Sequence, residues 1–272
     1  MKSKMNANIN KIVRKFLKNL LVATLITYIL FFVIFILLQK SFIYFPDDQD
    51  FKDCQGFLDY EKKTISNTRF YFKQGTDNAL IYYHGNAGST CDRSLIKEFF
   101  EENNYSIIFV EYTGYSNDQT KPNKEQIFKD VENIHKFLTK NNLNNNVVYG
   151  QSLGSGPASY HASLGNVGKL ILVSPFSSMR DLIKSKIKIY PVSIILTEDY
   201  NNQDLLSNYN NRLLILHGGE DKQIPVHHSR KLYEGLKNTN KEHIIIENFG
   251  HDDIWLSSIF KKSILDELNI KL

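Results

Sequence analysis

Cysteine is scarce in this chain, which has only two, Cys54 and Cys91, among 272 residues. Their positions lack the short paired spacing of a zinc site or a redox CxxC motif, so we expect no structural metal. They could form one disulfide if the domain lies in an oxidising compartment, where such bonds persist. The sequence alone favours two unpaired thiols.

The chain also lacks a concentration of charge of one sign. Its net charge is +4, and the basic residues are spread along the sequence except at the N-terminus. A nucleic-acid surface usually needs Lys and Arg clustered on one face, so we expect no nucleic-acid binding. With 42% apolar residues, the chain can bury one sizeable core, and we predict one globular domain with an appendage.

One long apolar run, Leu20 to Leu38, is present near the N-terminus. As a helix rising about 1.5 Å per residue, it would cross a hydrocarbon core about 30 Å thick. Charged residues differ in sign on its two sides, with Lys11, Arg14, Lys15 and Lys18 before it and Asp47, Asp48, Asp50 and Asp53 after it. Since basic residues stay on the cytoplasmic side, we predict a cytoplasmic segment 1–19, a transmembrane anchor 20–38 and a non-cytoplasmic domain 39–272.

Two other interpretations of the apolar run are open. A cleaved signal peptide also begins with basic residues, but its apolar region is shorter and ends at small residues. A buried core helix would carry polar residues on one face, whereas this run is apolar on all faces. A retained anchor is therefore the favoured prediction.

After Pro46, short β-branched or aromatic runs alternate with longer amphipathic stretches, which predicts an α/β fold with a mostly parallel sheet flanked by helices. The predicted strands are Thr68 to Lys73, Ala79 to Tyr83, Ser106 to Glu111, Asn146 to Tyr149, Lys169 to Val173, Arg212 to Leu216 and Lys241 to Glu247. Helical spacing of apolar residues predicts helices at Glu125 to Leu138, Val226 to Leu236 and Asp253 to Leu268.

The motif Gly-Gln-Ser-Leu-Gly occupies residues 150–154, between a predicted strand and a helix-compatible run. In a nucleophile elbow the serine lies in a strained turn, and small flanking residues let the backbone pass close to its neighbours. Gly150 and Gly154 meet that need, so Ser152 is the predicted nucleophile. A Gly- and Ser-rich turn without chemistry is the alternative, which the strand–turn–helix context disfavours.

A serine hydroxyl attacks efficiently when a base removes its proton and a carboxylate orients that base. Asp221 lies just beyond an apolar strand, at the end where the functional residues of such sheets gather, and is the predicted acid. The adjacent Glu220 is chemically competent and stays open as an alternative. His251 follows another strand and a glycine, and is the predicted general base.

The other histidines that follow Ser152 are predicted to be structural, because of their positions relative to strands and helices. His217 ends a strand and is expected to orient a loop, whereas His161 is expected to pack within the helix after the elbow. His227 and His228 begin a helix, and His243 begins a strand.

The oxyanion of acyl transfer needs two backbone N–H donors. One is the residue after the nucleophile, Leu153, and the other comes from the loop after the third strand, in which we predict Asn86 as the donor. That loop, residues 84–88, reads HGNAG and is glycine-rich. Because the chain has no GxxxxGK[ST] or GxGxxG pattern, we expect no nucleotide, and no cofactor is implied.

Together these motifs resemble the membrane-anchored α/β-hydrolase domain-containing proteins, serine hydrolases that include protein depalmitoylases and monoacylglycerol lipases. The resemblance covers most of the chain after the anchor, in the segments Phe42 to Pro46, Ile81 to Gly88, Gly150 to Ala158, Ser174 to Met179, Leu214 to Pro225 and Phe249 to Asp253. It implies a triad of Ser152, Asp221 and His251, with the backbone of Asn86 and Leu153 at the oxyanion positions. It also implies an ester or thioester substrate.

Two segments depart from this resemblance or limit what it implies. Glu111 to Asn123 differs from the family pattern of Asp then Arg before the glycine, and we expect this loop to border the site and to affect substrate preference. Arg180 to Asn211 is too short for a large cap domain. Its mixture of lysines and aliphatics could rest on a bilayer, although a packed helix with solvated lysines is favoured.

The predicted function is hydrolysis of esters or thioesters of lipid or acyl-linked substrates through an acyl-enzyme, next to a lipid bilayer and without an obligate protein partner. A serine peptidase would use the same residues. A catalytically silent, membrane-tethered binding module is the alternative from another class.

Overall fold

The structure, a computed structural model, describes residues 2–102 and 104–269. The chain divides into two compact units, Met1–Phe42 and Ile43–Leu272. Helix α1, Lys2–Ile43, begins well before the predicted anchor. Its segment Asn8–Ile43 contains an 18-residue stretch with a mean hydropathy of 2.9, which is long and apolar enough to cross a membrane. A signal sequence near the N-terminus can meet the same criteria of length and composition, so the retained anchor stays a prediction.

The second unit is built on an eight-stranded sheet, whose strands we number in chain order. They are β1 Glu61–Ile65, β2 Thr68–Lys73, β3 Asn78–Tyr83, β4 Ser106–Glu111, β5 Asn144–Gln151, β6 Val167–Val173, β7 Arg212–Gly218 and β8 Lys241–Ile246. Their spatial order is 1-2-4-3-5-6-7-8. Strand β2 pairs antiparallel with both of its neighbours, and the other pairs are parallel. The sheet is therefore mostly parallel, as predicted.

Helices pack on both faces of this sheet. They are α2 Glu98–Glu101, α3 Lys124–Lys140, α4 Ser155–Leu164, α5 Met179–Lys186, α6 Val192–Ile195, α7 Asn202–Leu205, α8 His227–Gly235 and α9 Ser258–Leu268. Along β3, Ile81 and Tyr83 join a cluster with α3 and α4, while Leu80 and Tyr82 join a cluster with α9. Since side chains of a strand alternate between faces, both faces of this strand are covered.

All seven predicted strands are present, and the structure adds β1 at the edge of the sheet. The sequence of β1 is Glu-Lys-Lys-Thr-Ile, and its side chains are exposed or half-buried, so the apolar signal of a buried strand is missing. The predicted helix at Asp253 to Leu268 is interrupted. A 3-10 turn at Ile254–Leu256 comes first, and the Ser257 hydroxyl then caps α9 by accepting from the N–H of Ile259.

Cys54 and Cys91 form a disulfide, so the prediction of two unpaired thiols is wrong. Their Cα atoms lie 5.7 Å apart although 37 positions separate them in the chain. The bond joins the starts of two 3-10 segments, Gln55–Phe57 and Cys91–Lys97, which pack against each other. Sequence spacing could not reveal this pairing, because it depends on which segments become neighbours in the fold.

Replacing both cysteines by serine should lower the stability of the domain. A disulfide that closes a loop of this length typically contributes about 2–4 kcal/mol by restricting the unfolded chain. Thermal unfolding of the full chain in neutral detergent, with and without reductant, measures the effect. We expect reductant to lower the Tm of the wild type and to leave the double variant unchanged; equal Tm values for both proteins without reductant would contradict the expectation.

Candidate active site

Ser152 lies in the sharp turn between β5 and α4, with a left-handed backbone angle φ of +55°. The two glycines of the motif make this turn possible. A Cβ atom on Gly154 would lie 2.2 Å from the carbonyl oxygen of Tyr83, and one on Gly150 would lie 2.5 Å from the Cβ of Ala158. Any side chain at either position would therefore push the turn away from β3 or α4.

The structure brings Ser152, His251 and Asp221 into one hydrogen-bonded series. Nδ1 of His251 lies 2.6 Å from Oδ2 of Asp221, and Nε2 lies 2.9 Å from Oγ of Ser152. A carboxylate oxygen only accepts, so Nδ1 donates its proton and Nε2 is left to accept from the serine hydroxyl. At most 9% of each residue is exposed, which keeps bulk water from competing for these bonds.

Asp221 is held as a carboxylate by the donors around it. Its Oδ1 accepts from the backbone N–H groups of Gln223 and Ile224, at 2.9 and 2.8 Å. Burial alone would raise the pKa of Asp221, but hydrogen bonds from His217 and His251 hold that pKa well below its usual range. The carboxyl group therefore stays ionised at any pH near neutrality.

The alternative acid, Glu220, is exposed, and its backbone N–H donates to the carbonyl of Phe249. His217 is wholly buried, and its Nε2 lies 2.8 Å from the carbonyl oxygen of Ile224 and 3.2 Å from Oδ2 of Asp221. His217 thus contacts both Asp221 and Ile224 of the same loop, which agrees with the prediction that it orients a loop.

Two hydrogen bonds hold the backbone of Asn86 in place next to Ser152. Its carbonyl oxygen accepts from the Phe45 N–H and from the Tyr115 hydroxyl, both at 2.9 Å. A Cβ atom on the preceding Gly85 would lie only 3.6 Å from the Cβ of Ser152. The side chain of Leu153 is buried in the core, so its backbone is the part available to the site.

The segment Glu111 to Asn123 packs against the loop that carries Asn86. The hydroxyl of Tyr112 donates to the carbonyl of His84 at 2.8 Å. Glu111 is buried with its Oε1 3.5 Å from Nε2 of His84, and its Oε2 accepts from the N–H of Thr90 at 3.1 Å. Within the described part of the chain, no residue of 111–123 lines the pocket beside Ser152. The segment contacts the site through the Asn86 loop, and its effect on substrate preference stays a prediction.

A pocket of about 410 Å³ opens beside the serine. Its lining residues are Gly85, Asn86, Ala87, Asp92, Arg93, Leu95, Ile96, Phe99, Gln151, Ser152, Gln223, His251, Asp252 and Trp255. The apolar wall comes from the segment that follows Cys91 and from Trp255. Among residues 2–102 and 104–269, no group of three or more His, Cys, Asp or Glu side chains could hold a metal ion.

Comparison with known proteins identifies the family of this chain, although no family model matches it. A protein of Acanthamoeba polyphaga mimivirus is 30% identical over 221 residues, which are 71% of this chain and 74% of that protein. Alpha/beta hydrolase domain-containing protein 17C of Xenopus laevis is 30% identical over 189 residues, 67% of this chain and 58% of that protein. The chain belongs to the α/β-hydrolase family.

A solved structure with low sequence identity shows the same fold. An esterase of Pyrococcus furiosus aligns with a TM-score of 0.64 at 16% identity, over 83% of this chain and 95% of that one. The predicted fold class and the predicted family resemblance are both confirmed. In this α/β-hydrolase the elbow follows β5, Asp221 follows β7 and His251 follows β8. All three therefore lie at the carboxyl ends of the parallel strands.

Sequence reasoning missed several groups that shape this site. The apolar pocket wall had no local signal in the sequence. The contact of His84 with Glu111 could not be predicted either, because it depends on how the fold brings two separate segments together. The two N–H donors to Asp221 could have been expected from the turn Asp221 to Pro225, since an Asp side chain commonly accepts from the backbone two residues on.

His217 gives a test of this arrangement. In His217→Leu, the acid loop loses the donor to the Ile224 carbonyl, so we expect kcat for a p-nitrophenyl ester to fall about 10- to 100-fold with little change in KM. His217→Gln should recover part of the rate, because its amide can donate to the same carbonyl. His227→Ala, an exposed histidine ten residues later, is the control; an equal loss in both variants would argue against a positioning role.

Proposed function

We propose that this α/β-hydrolase is a serine hydrolase that cleaves carboxylic esters or thioesters through an acyl-enzyme. The observation that carries the proposal is the series Asp221, His251 and Ser152, with hydrogen-bond distances of 2.6 and 2.9 Å. Such a series lets a base remove the serine proton while a carboxylate stabilises the imidazolium.

In the first half of the reaction, Oγ of Ser152 attacks the acyl carbon while Nε2 of His251 takes its proton. The resulting oxyanion would accept from the backbone N–H groups of Asn86 and Leu153, and each donor would lower the barrier by about 3–4 kcal/mol. When the tetrahedral intermediate collapses, His251 returns the proton to the leaving alcohol or thiol. Water then attacks the acyl-enzyme by the same route and releases the acid.

The pocket favours a substrate with an apolar acyl or alcohol part. Leu95, Phe99 and Trp255 present apolar surface in the same cavity as Ser152 and His251. Its volume, about 410 Å³, lies within the range of pockets that bind small organic ligands. A lipid or acyl-linked substrate fits this lining, in keeping with the family resemblance.

We further propose that α1 anchors the protein in a membrane with its N-terminus in the cytoplasm and the hydrolase domain on the opposite side. Basic residues before the apolar run and acidic residues after it support this orientation. The Cys54–Cys91 disulfide supports it independently, since disulfides persist in oxidising compartments and are rare in the cytosol.

Ser152→Ala should abolish labelling by a fluorophosphonate probe and lower ester turnover by a factor of about 10³ or more, because the covalent step is lost. Purified full-length protein in detergent serves for both measurements, with short- and long-chain p-nitrophenyl esters as substrates. A matched anilide substrate distinguishes an esterase from a peptidase.

Ser163→Ala is the matched control for this test, because Ser163 lies near the exposed end of the same helix that follows the elbow. It should label and turn over ester like the wild type. A folded wild type that does not label would reject the proposed mechanism in favour of a silent binding module.

The orientation predicts which parts of the chain are protected from protease in sealed microsomes. A C-terminal tag should resist added protease until detergent is present, and an N-terminal tag should be removed. The chain also carries the glycosylation sequence Asn104-Tyr105-Ser106, so a glycan at Asn104 that is absent from Asn104→Gln would report the same orientation. Digestion of the C-terminal tag in sealed vesicles would show the reverse orientation.

A further inference from the structure

The backbone N–H of Asn86, the proposed oxyanion donor, is the one polar group of this residue that is left free. Within the described part of the chain, that N–H makes no hydrogen bond. The Asn86 carbonyl accepts from the Tyr115 hydroxyl, and the side-chain amide donates to the carbonyl of Ile43 at 3.2 Å. The direction of the free N–H therefore decides whether it can serve an oxyanion at Ser152.

That direction is fixed through the carbonyl of the preceding residue, Gly85. The peptide bond between Gly85 and Asn86 is trans and planar, so its C=O and N–H point in opposite directions. Nδ1 of His84 lies 2.8 Å from the Gly85 carbonyl oxygen. Since a carbonyl oxygen only accepts, Nδ1 carries a proton and donates it. His84 thus holds the peptide plane whose N–H is the proposed oxyanion donor.

The ring of His84 is held in turn by two tyrosines. The ring is wholly buried and stacks on Tyr112, with 4.0 Å between the ring centroids. Tyr115 meets it edge-on at 5.1 Å. The Tyr112 hydroxyl also donates to the backbone carbonyl of His84. These contacts fix the plane of the imidazole, and its second nitrogen, Nε2, is buried as well.

This second nitrogen faces the buried carboxyl group of Glu111. Nε2 of His84 lies 3.5 Å from Oε1 of Glu111, and neither atom has a hydrogen-bond partner elsewhere among the described residues. Because Nδ1 already carries the proton of a neutral ring, Nε2 would then present a lone pair to a carboxylate. Two buried acceptors that face each other repel, so the contact is favourable only with one more proton between them.

We propose that His84 and Glu111 position the oxyanion donor of this hydrolase. Glu111 keeps a proton between its Oε1 and Nε2 of His84, and Nδ1 of His84 holds the Gly85–Asn86 peptide with its N–H towards Ser152. The shared proton draws charge from the ring and strengthens its Nδ1–H as a donor, because linked hydrogen bonds polarise one another. The inference rests on the proposed hydrolase function. Both are positioning residues, since neither lines the pocket beside Ser152.

Two substitutions of His84 separate this role from simple packing. The amide nitrogen of His84→Asn stands near the place of Nδ1 and can donate to the Gly85 carbonyl, whereas that of His84→Gln stands near the place of Nε2 and cannot. We expect kcat for a p-nitrophenyl ester to fall about 10- to 100-fold in His84→Gln and less than about tenfold in His84→Asn. KM should change little, because the oxyanion exists only in the transition state and the intermediates.

Two substitutions of Glu111 test the shared proton. The amide of Glu111→Gln can donate to Nε2 of a neutral His84, and its oxygen can still accept from the Thr90 N–H, so we expect less than about a tenfold loss of kcat. Glu111→Leu leaves Nε2 without a partner and should lower kcat by about tenfold or more. All measurements use the full-length protein in neutral detergent, with Tm recorded for each variant.

A trifluoromethyl ketone that carries the same acyl chain reports on the oxyanion directly. Oγ of Ser152 adds to its carbonyl carbon, the Oγ proton passes to His251, and the carbonyl oxygen becomes the oxyanion without loss of any group. If the donor is misplaced in His84→Gln, the Ki for this ketone should rise by about the factor by which kcat/KM falls. His135→Gln, the same change at a half-buried histidine of α3, is the control and should leave both values at those of the wild type.

The outcomes are distinct. A lower kcat in His84→Gln and Glu111→Leu than in their paired variants, with a parallel rise in Ki, supports the proposal. Equal kcat values within each pair, at wild-type Tm, would overturn it and leave the proposed hydrolase function intact. If His84→Gln does not fold, the two Glu111 variants decide in the same way. A folded wild type without ester turnover would overturn this inference together with the proposed function.

Discussion

The strained turn at Ser152 is the constraint on which the rest of the site depends. A left-handed backbone at a residue with a Cβ costs about 1–2 kcal/mol, and such a conformation persists only where the surroundings determine it. Here the surroundings are the carbonyl of Tyr83 against Gly154 and the methyl of Ala158 against Gly150. The strained turn that presents the hydroxyl to His251 is thus held by packing between β3, β5 and α4.

The order of strands in the sheet brings the other residues of the site next to this turn. Strand β3 lies beside β5, so the Asn86 loop and the elbow meet at neighbouring strand ends. Strands β7 and β8 are paired with Gly218 opposite Ile246, so the loops bearing Asp221 and His251 begin side by side. Residues 99 positions apart, Ser152 and His251, come within hydrogen-bonding distance because strand ends fix where their loops start.

Sequence alone predicted those parts of the molecule that have a local physical signal. Buried parallel strands are continuous apolar runs, so they could be found from the sequence. Ser152, Asp221 and His251 each follow such a run, so they could be found in the same way. The Cys54–Cys91 bond, strand β1 and the pairing of His84 with Glu111 could not. Each depends on contacts between segments distant in sequence, or, for β1, on an exposed edge whose charged residues carry no apolar pattern.

Burial dictates how the charge of Asp221 is compensated. Asp221 is buried, so its charge is tolerable only because backbone and imidazole donors surround it, and the same donors fix the position of the carboxylate beside His251. Exposed charges such as those of Lys184 and Lys188 need no such partners, because water solvates them at little cost in free energy. A buried charge must therefore be compensated by fixed donors within the domain, whereas an exposed charge can be left to the solvent.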